Sequence, residues 1–341
     1  MTTLGIDHAV LAVADLEAAR ARLTQLGFLT HPGADRPGRG VRTLLVRLGL
    51  SALEVRAITD AEHARASDMD GPGLVNYVNR HGGGLAGYAL RTADLDGMAR
   101  QLMSTSLRAF THLRFEGPFA LSRPAGDGQT VAWRMLMPGG VAWRRPWPLV
   151  VQWDTPDGER RALEPPDQQP NTATGISGIA LAVANLESAR AIYREQLGLD
   201  AAQLDEVPSL AAHRATYQLG GCAIQLLSPQ GDDSPLEAAL ARGGEGPFEL
   251  TLAVSDFDAC RSVLERAGVA YHTAPDNPGA LALDPDEALG ARLVFTAAAP
   301  FAVADGGASG TASSGEQANN GRDVARETPA EPTEAASARR T

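Results

Sequence analysis

A ten-residue run occurs twice in this chain almost unchanged, as Leu11-Ala-Val-Ala-Asp-Leu-Glu-Ala-Ala-Arg20 and again as Leu181-Ala-Val-Ala-Asn-Leu-Glu-Ser-Ala-Arg190. Fainter copies read Ala89-Leu-Arg-Thr-Ala-Asp-Leu95 and Leu252-Ala-Val-Ser-Asp-Phe257, so an Asp or Asn marks four units at positions 15, 94, 185 and 256. The spacings of 79, 91 and 71 residues are too long for a solenoid repeat and fit a supersecondary module of one helix and several strands.

The four units read alike. An alternating or apolar run (Ile6 to Val13, Leu85 to Leu90, Ile176 to Val183, Phe248 to Val254) has strand character and stops at the Asp or Asn. That residue is a good helix N-cap, because its side-chain oxygen accepts from the free amides of the next turn. Leu16, Ala19, Leu23 and Leu26 then recur at helical spacing, and Gly27 supplies the left-handed stop. Short strand-like runs follow, such as Val41 to Leu48 and Ser51 to Ile58. Each unit is therefore βαβββ, and the fold class is α+β.

Composition narrows the function. The net charge of −11 works against a nucleic-acid partner, which rewards clustered cations through counterion release. Two cysteines, Cys222 and Cys260, exclude a disulfide framework and suit a reducing compartment. No leader pattern opens the chain and no stretch reaches 18 apolar residues, so a soluble, cytoplasmic protein with no membrane partner is expected. The predicted organisation is a first domain over 1–155, a Pro- and charge-rich linker over 156–174, a second domain over 175–299 and a low-complexity disordered tail over 300–341. Monomer and homodimer both remain open.

The strand Ile6-Asp-His-Ala-Val-Leu-Ala-Val13, then Asp-Leu-Glu, a helix, Leu-Gly-Phe28 and the later strand Ala52-Leu-Glu-Val55 resemble the vicinal oxygen chelate superfamily, most of all its glyoxalase-like domain. The resemblance covers about 4–155 and 175–298. It implies that the modules pair into two incomplete eight-stranded barrels with helices on the outside, each around a cavity that takes a small-molecule ligand. It also implies a divalent metal (zinc, nickel, manganese or iron) held by one residue of the first and one of the last strand of each module. On that pattern His8 and Glu54 fall on the ligand positions of unit one, and Gly87, Gly178 and Glu249 on the first-strand positions of the others. The last-strand positions become Gln152, Gln225 and about Phe295. With glycines among them the quartet is incomplete, and the second half is the more degenerate.

His8 is read as a metal ligand, a general base or a substrate anchor, against a residue that merely hydrogen-bonds inside the pocket. Glu54 needs a partner wherever it lacks solvent, and a pocket supplies one. Gln152 is a pocket-lining amide. Arg134 either binds an anionic substrate from the concave face or makes a salt bridge on the outer one. Trp133 belongs to a cluster of four tryptophans that either fills core or walls the pocket. The resemblance implies a metal-assisted lyase, isomerase or dioxygenase acting on a small oxygen-rich metabolite. The alternative is a metal-free binding or resistance protein that sequesters such a molecule.

Overall fold

A computed structural model of the protein describes residues 3–33, 38–67, 71–104, 115–125, 128–139, 143–201 and 203–297; the predicted tail lies outside them. Two eight-stranded mixed sheets carry the fold. The first comprises β1 (Thr3–Val13), β2 (His31–Pro32), β3 (Val41–Leu48), β4 (Ser51–Ile58), β5 (Gly84–Thr92), β6 (Phe115–Pro124), β7 (Thr130–Pro138) and β8 (Leu149–Trp153). The second comprises β9 (Ala173–Ala182), β10 (Gln203–Val207), β11 (Ala212–Leu219), β12 (Cys222–Pro229), β13 (Gly246–Val254), β14 (His272–Ala274), β15 (Asn277–Leu283) and β16 (Arg292–Ala297). Strand order is β2-β3-β4-β1-β5-β8-β7-β6 in one and β10-β11-β12-β9-β13-β16-β15-β14 in the other, the same layout twice. Within each sheet two βαβββ modules meet antiparallel at their first strands.

Eight α-helices are described: α1 (Leu16–Gln25), α2 (Ala61–Ala66), α3 (Gly71–His81), α4 (Leu95–Ser104), α5 (Asp157–Leu163), α6 (Leu186–Leu197), α7 (Pro235–Gly243) and α8 (Phe257–Arg266). In all four units the capping residue acts as such. Asp15 accepts from the amides of Glu17 and Ala18, Asp94 from Gly97, Asn185 from Ser188 and Asp256 from Ala259.

Side-chain alternation decides which way each strand faces. Ala9, Leu11 and Val13 of β1 and Leu53, Val55 and Ala57 of β4 join Leu16, Ala19 and Leu23 of α1 in one core. That core also holds Leu181, Tyr193, Leu264 and Phe295. The helices α1, α4, α6 and α8 thus lie outside the curled sheets, and the faces that they cover share a single interior. Val10 and Ala12 face the other way, where Leu74 and Tyr77 of α3 cover them; α7 covers Ala180 and Ala182 likewise through Leu236.

The segment 156–174 ties the halves together rather than merely spanning them. Asn171, fully buried, donates through Nδ2 to the Leu26 carbonyl at 2.8 Å and through its backbone to that of Gly27 at 3.2 Å. His31 lies 2.8 Å from Asp167. Across the shared core the hydroxyls of Tyr88 and Tyr193 bond to one another, and Tyr193 donates to the Pro146 carbonyl at 2.7 Å.

Gly27 combines two needs at this junction. Its φ is +78°, and a Cβ there would stand 2.7 Å from Cγ1 of Val263 and 2.9 Å from Cβ of Asn171. Gly38 shares the backbone requirement, φ +83°, with nothing within 4 Å. Gly27→Ala is therefore expected to lower unfolding free energy by about 3 kcal/mol or more and Gly38→Ala by about 1 kcal/mol. Urea denaturation reads both values, and equal losses would show that the junction is not tightly packed.

Candidate active-site pocket

Leu45 and Arg47 of β3 and Leu121 and Arg123 of β6 line one cavity of about 150 Å³, although β6 is an edge strand and β3 stands next to the opposite edge. Only a sheet curled on itself brings such strands around one hollow. Between them the floor is formed by β1, β4, β7 and β8, and His8, Glu54, Trp133 and Trp153 all face the cavity. The parallel register of β1 and β4 sets His8 beside Ala52 and Val10 beside Glu54. His8 and Glu54 therefore project from the same face of neighbouring strands, where Ala9 and Val55 project into the core.

Asp7 organises the site and was not legible in the sequence. Only 4% exposed, it holds Nδ1 of His8 at 2.8 Å through Oδ1 and accepts from the indole Nε1 of Trp153 at 2.6 Å through Oδ2. Burial opposes its charge, but the bond and charge of His8, the Arg160 guanidinium and the indole outweigh it and lower the Asp7 pKa. An ionised Asp7 leaves the His8 proton on Nδ1. Nε2 of His8 is then the nitrogen without a proton, and it is buried without a hydrogen-bond partner on a residue that lines the pocket. For His8 burial again opposes charge, yet the carboxylates of Glu54 and Asp7 prevail and raise its pKa. Glu54 accepts from Arg56 at 2.6 and 3.1 Å. Its burial is overcome by Arg56 and then His8, which bring its pKa down to about 2.

The remaining expected residues divide. Trp133 lines the pocket, with its ring centroid 5.2 Å from that of Trp153. Gln152 alternates with Val151 and Trp153 and so turns to the helix side, where its Oε1 accepts from the Leu95 amide at 2.8 Å. Arg134 likewise turns outward and pairs with Asp96 and Asp154 at 3.2 Å, the outer-face alternative. Trp143 and Trp147 stand apart, the first packed with α3 and the second against Tyr193.

Arg160 was hidden within the predicted linker. That stretch forms α5, and it delivers a guanidinium 3.5 Å from the Trp153 ring centroid, 8% exposed, into the pocket wall. Glu164 follows it and takes two bonds from Arg123, at 2.9 and 2.6 Å. The helix-forming run Asp157-Gly-Glu-Arg-Arg-Ala-Leu163 was the available signal.

The divalent metal implied by the resemblance can be tested against these donors. Among the described residues no group of three or more His, Cys, Asp or Glu side chains is placed to hold a metal ion. The matching position on β5 is Gly87, and a Cβ there would meet the Trp143 ring at 2.8 Å. β8 offers Val151 and Trp153, and Glu54 is already committed to Arg56. Two donors, one of them neutralised, do not fit a tightly held zinc, nickel, manganese or iron ion.

In the second half Glu249 is not a solvated carboxylate. It lies 3.6 Å from Arg292, and burial raises its pKa in spite of that guanidinium. Gln225 sits on β12, separated from the strand of Glu249 by β9, while Phe295 turns into the shared core and stacks on Phe28 at 6.2 Å.

Comparison with known proteins agrees with this architecture. Residues 6–194 match the family model described as "Glyoxalase-like domain", and residues 178–284 match "Glyoxalase/Bleomycin resistance protein/Dioxygenase superfamily". The first match spans more than half of the chain, which belongs to the glyoxalase-like domain family. Mitochondrial methylmalonyl-CoA epimerase of Mus musculus is 31% identical over 113 residues, covering 29% of this chain and 62% of the epimerase; that of Bos taurus is 28% identical over 110 residues, covering 29% and 63%. The chain thus spans under two thirds of these relatives. A hypothetical protein from Staphylococcus aureus superposes with a TM-score of 0.58 at 14% identity, covering 86% of this chain and 98% of its own. A triple mutant of 4-hydroxymandelate synthase from Streptomyces coelicolor does so at 0.59 and 18% identity, covering 86% and 92%. Identities this low speak to fold alone. No helix among the described residues is long and apolar enough to cross a membrane.

The Glu54 carboxyl makes stability depend on pH. Its folded pKa lies below the ordinary 4.5, so the stability it contributes is complete above that value and is lost as pH falls toward about 2. Between pH 4.5 and 2 the wild type should lose melting temperature more steeply than Glu54→Gln. At pH 7 that variant should be less stable by about 2 kcal/mol, because Arg56 keeps its burial and loses its counter-charge. Parallel melting-temperature profiles would contradict the pairing.

Proposed function

We propose that the N-terminal pocket binds a small oxygen-rich metabolite and exchanges a proton on it through Nε2 of His8. The observation that carries this reading is the buried Asp7–His8 pair: His8 lines the cavity, and its Nε2 is buried without a hydrogen-bond partner. A carboxylate on Nδ1 fixes the ring and its tautomer and makes Nε2 the better base. In the proposed step Nε2 takes the proton from a carbon next to a carbonyl, and the electron pair moves onto the carbonyl oxygen. Return of a proton to that carbon, on the same or the other face, completes the cycle. The carboxylates of Glu54 and Asp7 raise the His8 pKa against its burial and so favour the ring cation formed when Nε2 takes the proton.

The curated relatives support this reading, since an epimerase acting at a C–H centre removes and returns one proton. The pocket is too small to enclose a CoA ester, so only an acyl end would enter it; about 150 Å³ takes a group of roughly benzene's size. A second reading, metal-free binding and sequestration, is favoured by the walls of Trp133 and Trp153, which would grip a ligand without any chemistry.

Incubation in D2O with methylmalonyl-CoA and with small 2-hydroxy and 2-oxo carbonyl compounds, followed by proton NMR, separates the readings. Wild-type protein is expected to exchange a C–H proton of at least one, and His8→Gln and Asp7→Asn to slow it by about 100-fold or more. A compound that binds in wild type and both variants without exchange would support sequestration. Exchange that disappears on chelation and returns with zinc, nickel, manganese or iron would instead favour the metal-assisted route.

A further inference from the structure

The pocket is a basic island in an acidic protein. The chain carries a net charge of −11, yet Arg39, Arg47, Arg56, Arg123, Arg160 and Arg161 line the cavity, against the carboxylates of Asp7, Glu54 and Glu164. Most of these charges answer one another. Arg56 is bonded to Glu54, Arg123 is bonded to Glu164 on both sides of its fork, and Asp7 is shared by His8 and Trp153. Arg160 shares Asp157 with Arg91, each at 3.3 Å.

Arg47 differs. Among the described residues it forms no ion pair, and its Nε, like that of Arg160, is buried without a hydrogen-bond partner. Register places it in line with the proton-exchanging group, since Arg47 of β3 stands opposite Ala52 of β4, and Ala52 beside His8 of β1. Two strand spacings put the Cα atoms of Arg47 and His8 about 10 Å apart on one face of the sheet. Alanine between them leaves the gap open. Arg47 is half-buried, and its planar fork, with no ion pair among the described residues, matches an anionic oxygen group.

Resting on the reading of this pocket as a metabolite site, we propose that its ligand carries an anionic oxygen group, carboxylate or phosphate, which Arg47 holds across Ala52 from His8. The anchored group fixes which carbon reaches Nε2. It also makes the pocket select for charge, so a neutral isostere of the same shape loses its anchor.

Binding of lactate, of inorganic phosphate and of lactamide, the neutral counterpart of lactate, tests this by ligand-observed NMR titration of the full chain. Wild type should bind lactate or phosphate about tenfold or more tightly than lactamide, and the better of the two anions identifies the group. Arg47→Gln should erase that preference while keeping the weak lactamide binding, which shows that the pocket is folded. Arg47→Lys should keep part of it, and Arg42→Gln, exposed on the same strand and not a pocket residue, should keep all. Equal binding of lactate and lactamide, or an unchanged preference in Arg47→Gln, overturns the anionic anchor but leaves the metabolite pocket standing. Wild type that binds none of the three overturns both.

Discussion

The pocket exists because side chains alternate along two parallel neighbours, β1 and β4, whose register sets His8 beside Ala52 and Val10 beside Glu54. A slip of one residue would carry His8 into the apolar interior and Leu11 into the cavity. The interior resists it, because Ala9, Leu11, Leu53 and Val55 are buried there and an imidazole among them would have no partner. The apolar half of each strand therefore fixes the position of its polar half. The core that the two halves share holds both faces of this arrangement in place.

Charge follows from that placement. Asp7 and Glu54 are enclosed by protein, yet both stay ionised because bonded cations or donors lie within 3 Å. The pair around His8 has a direction: Asp7 takes Nδ1 of His8 and the Trp153 indole, and Nε2 is left buried without a partner. The same module built the second half with a different outcome. There Gly178, Ala180 and Ala182 occupy the inner face of β9, α7 packs over the two alanines, and Glu249 answers Arg292. Two copies of one topology thus give one polar, hollow face and one largely filled by small apolar side chains.

Much of the scaffold was legible because its signals are local. The capping residues at 15, 94, 185 and 256 and the strands Val41–Leu48 and Ser51–Ile58 could be read from spacing, since periodicity and capping involve residues within a few positions of one another. Edge strands escaped notice. β6 contains Pro118 and Pro124, which an edge tolerates and which mask the strand pattern. Position in the repeat puts Gln152 on the inner face, but its alternation with Trp153 turns it outward, where it accepts from the Leu95 amide at the start of α4.

From the sequence alone came the four-fold βαβββ repeat, its pairing into two sheets through the family resemblance, and three residues of the site, His8, Glu54 and Trp133. Tertiary structure decided the rest of the pocket. Trp153 reaches Asp7 across 146 positions, Arg160 arrives from a segment that reads as a connection, and Arg47 meets the row of His8 through two interstrand registers. Hydrophobic period and capping are properties of neighbours in the chain, whereas a buried charge takes its partner from whatever strand or helix the closed core brings beside it.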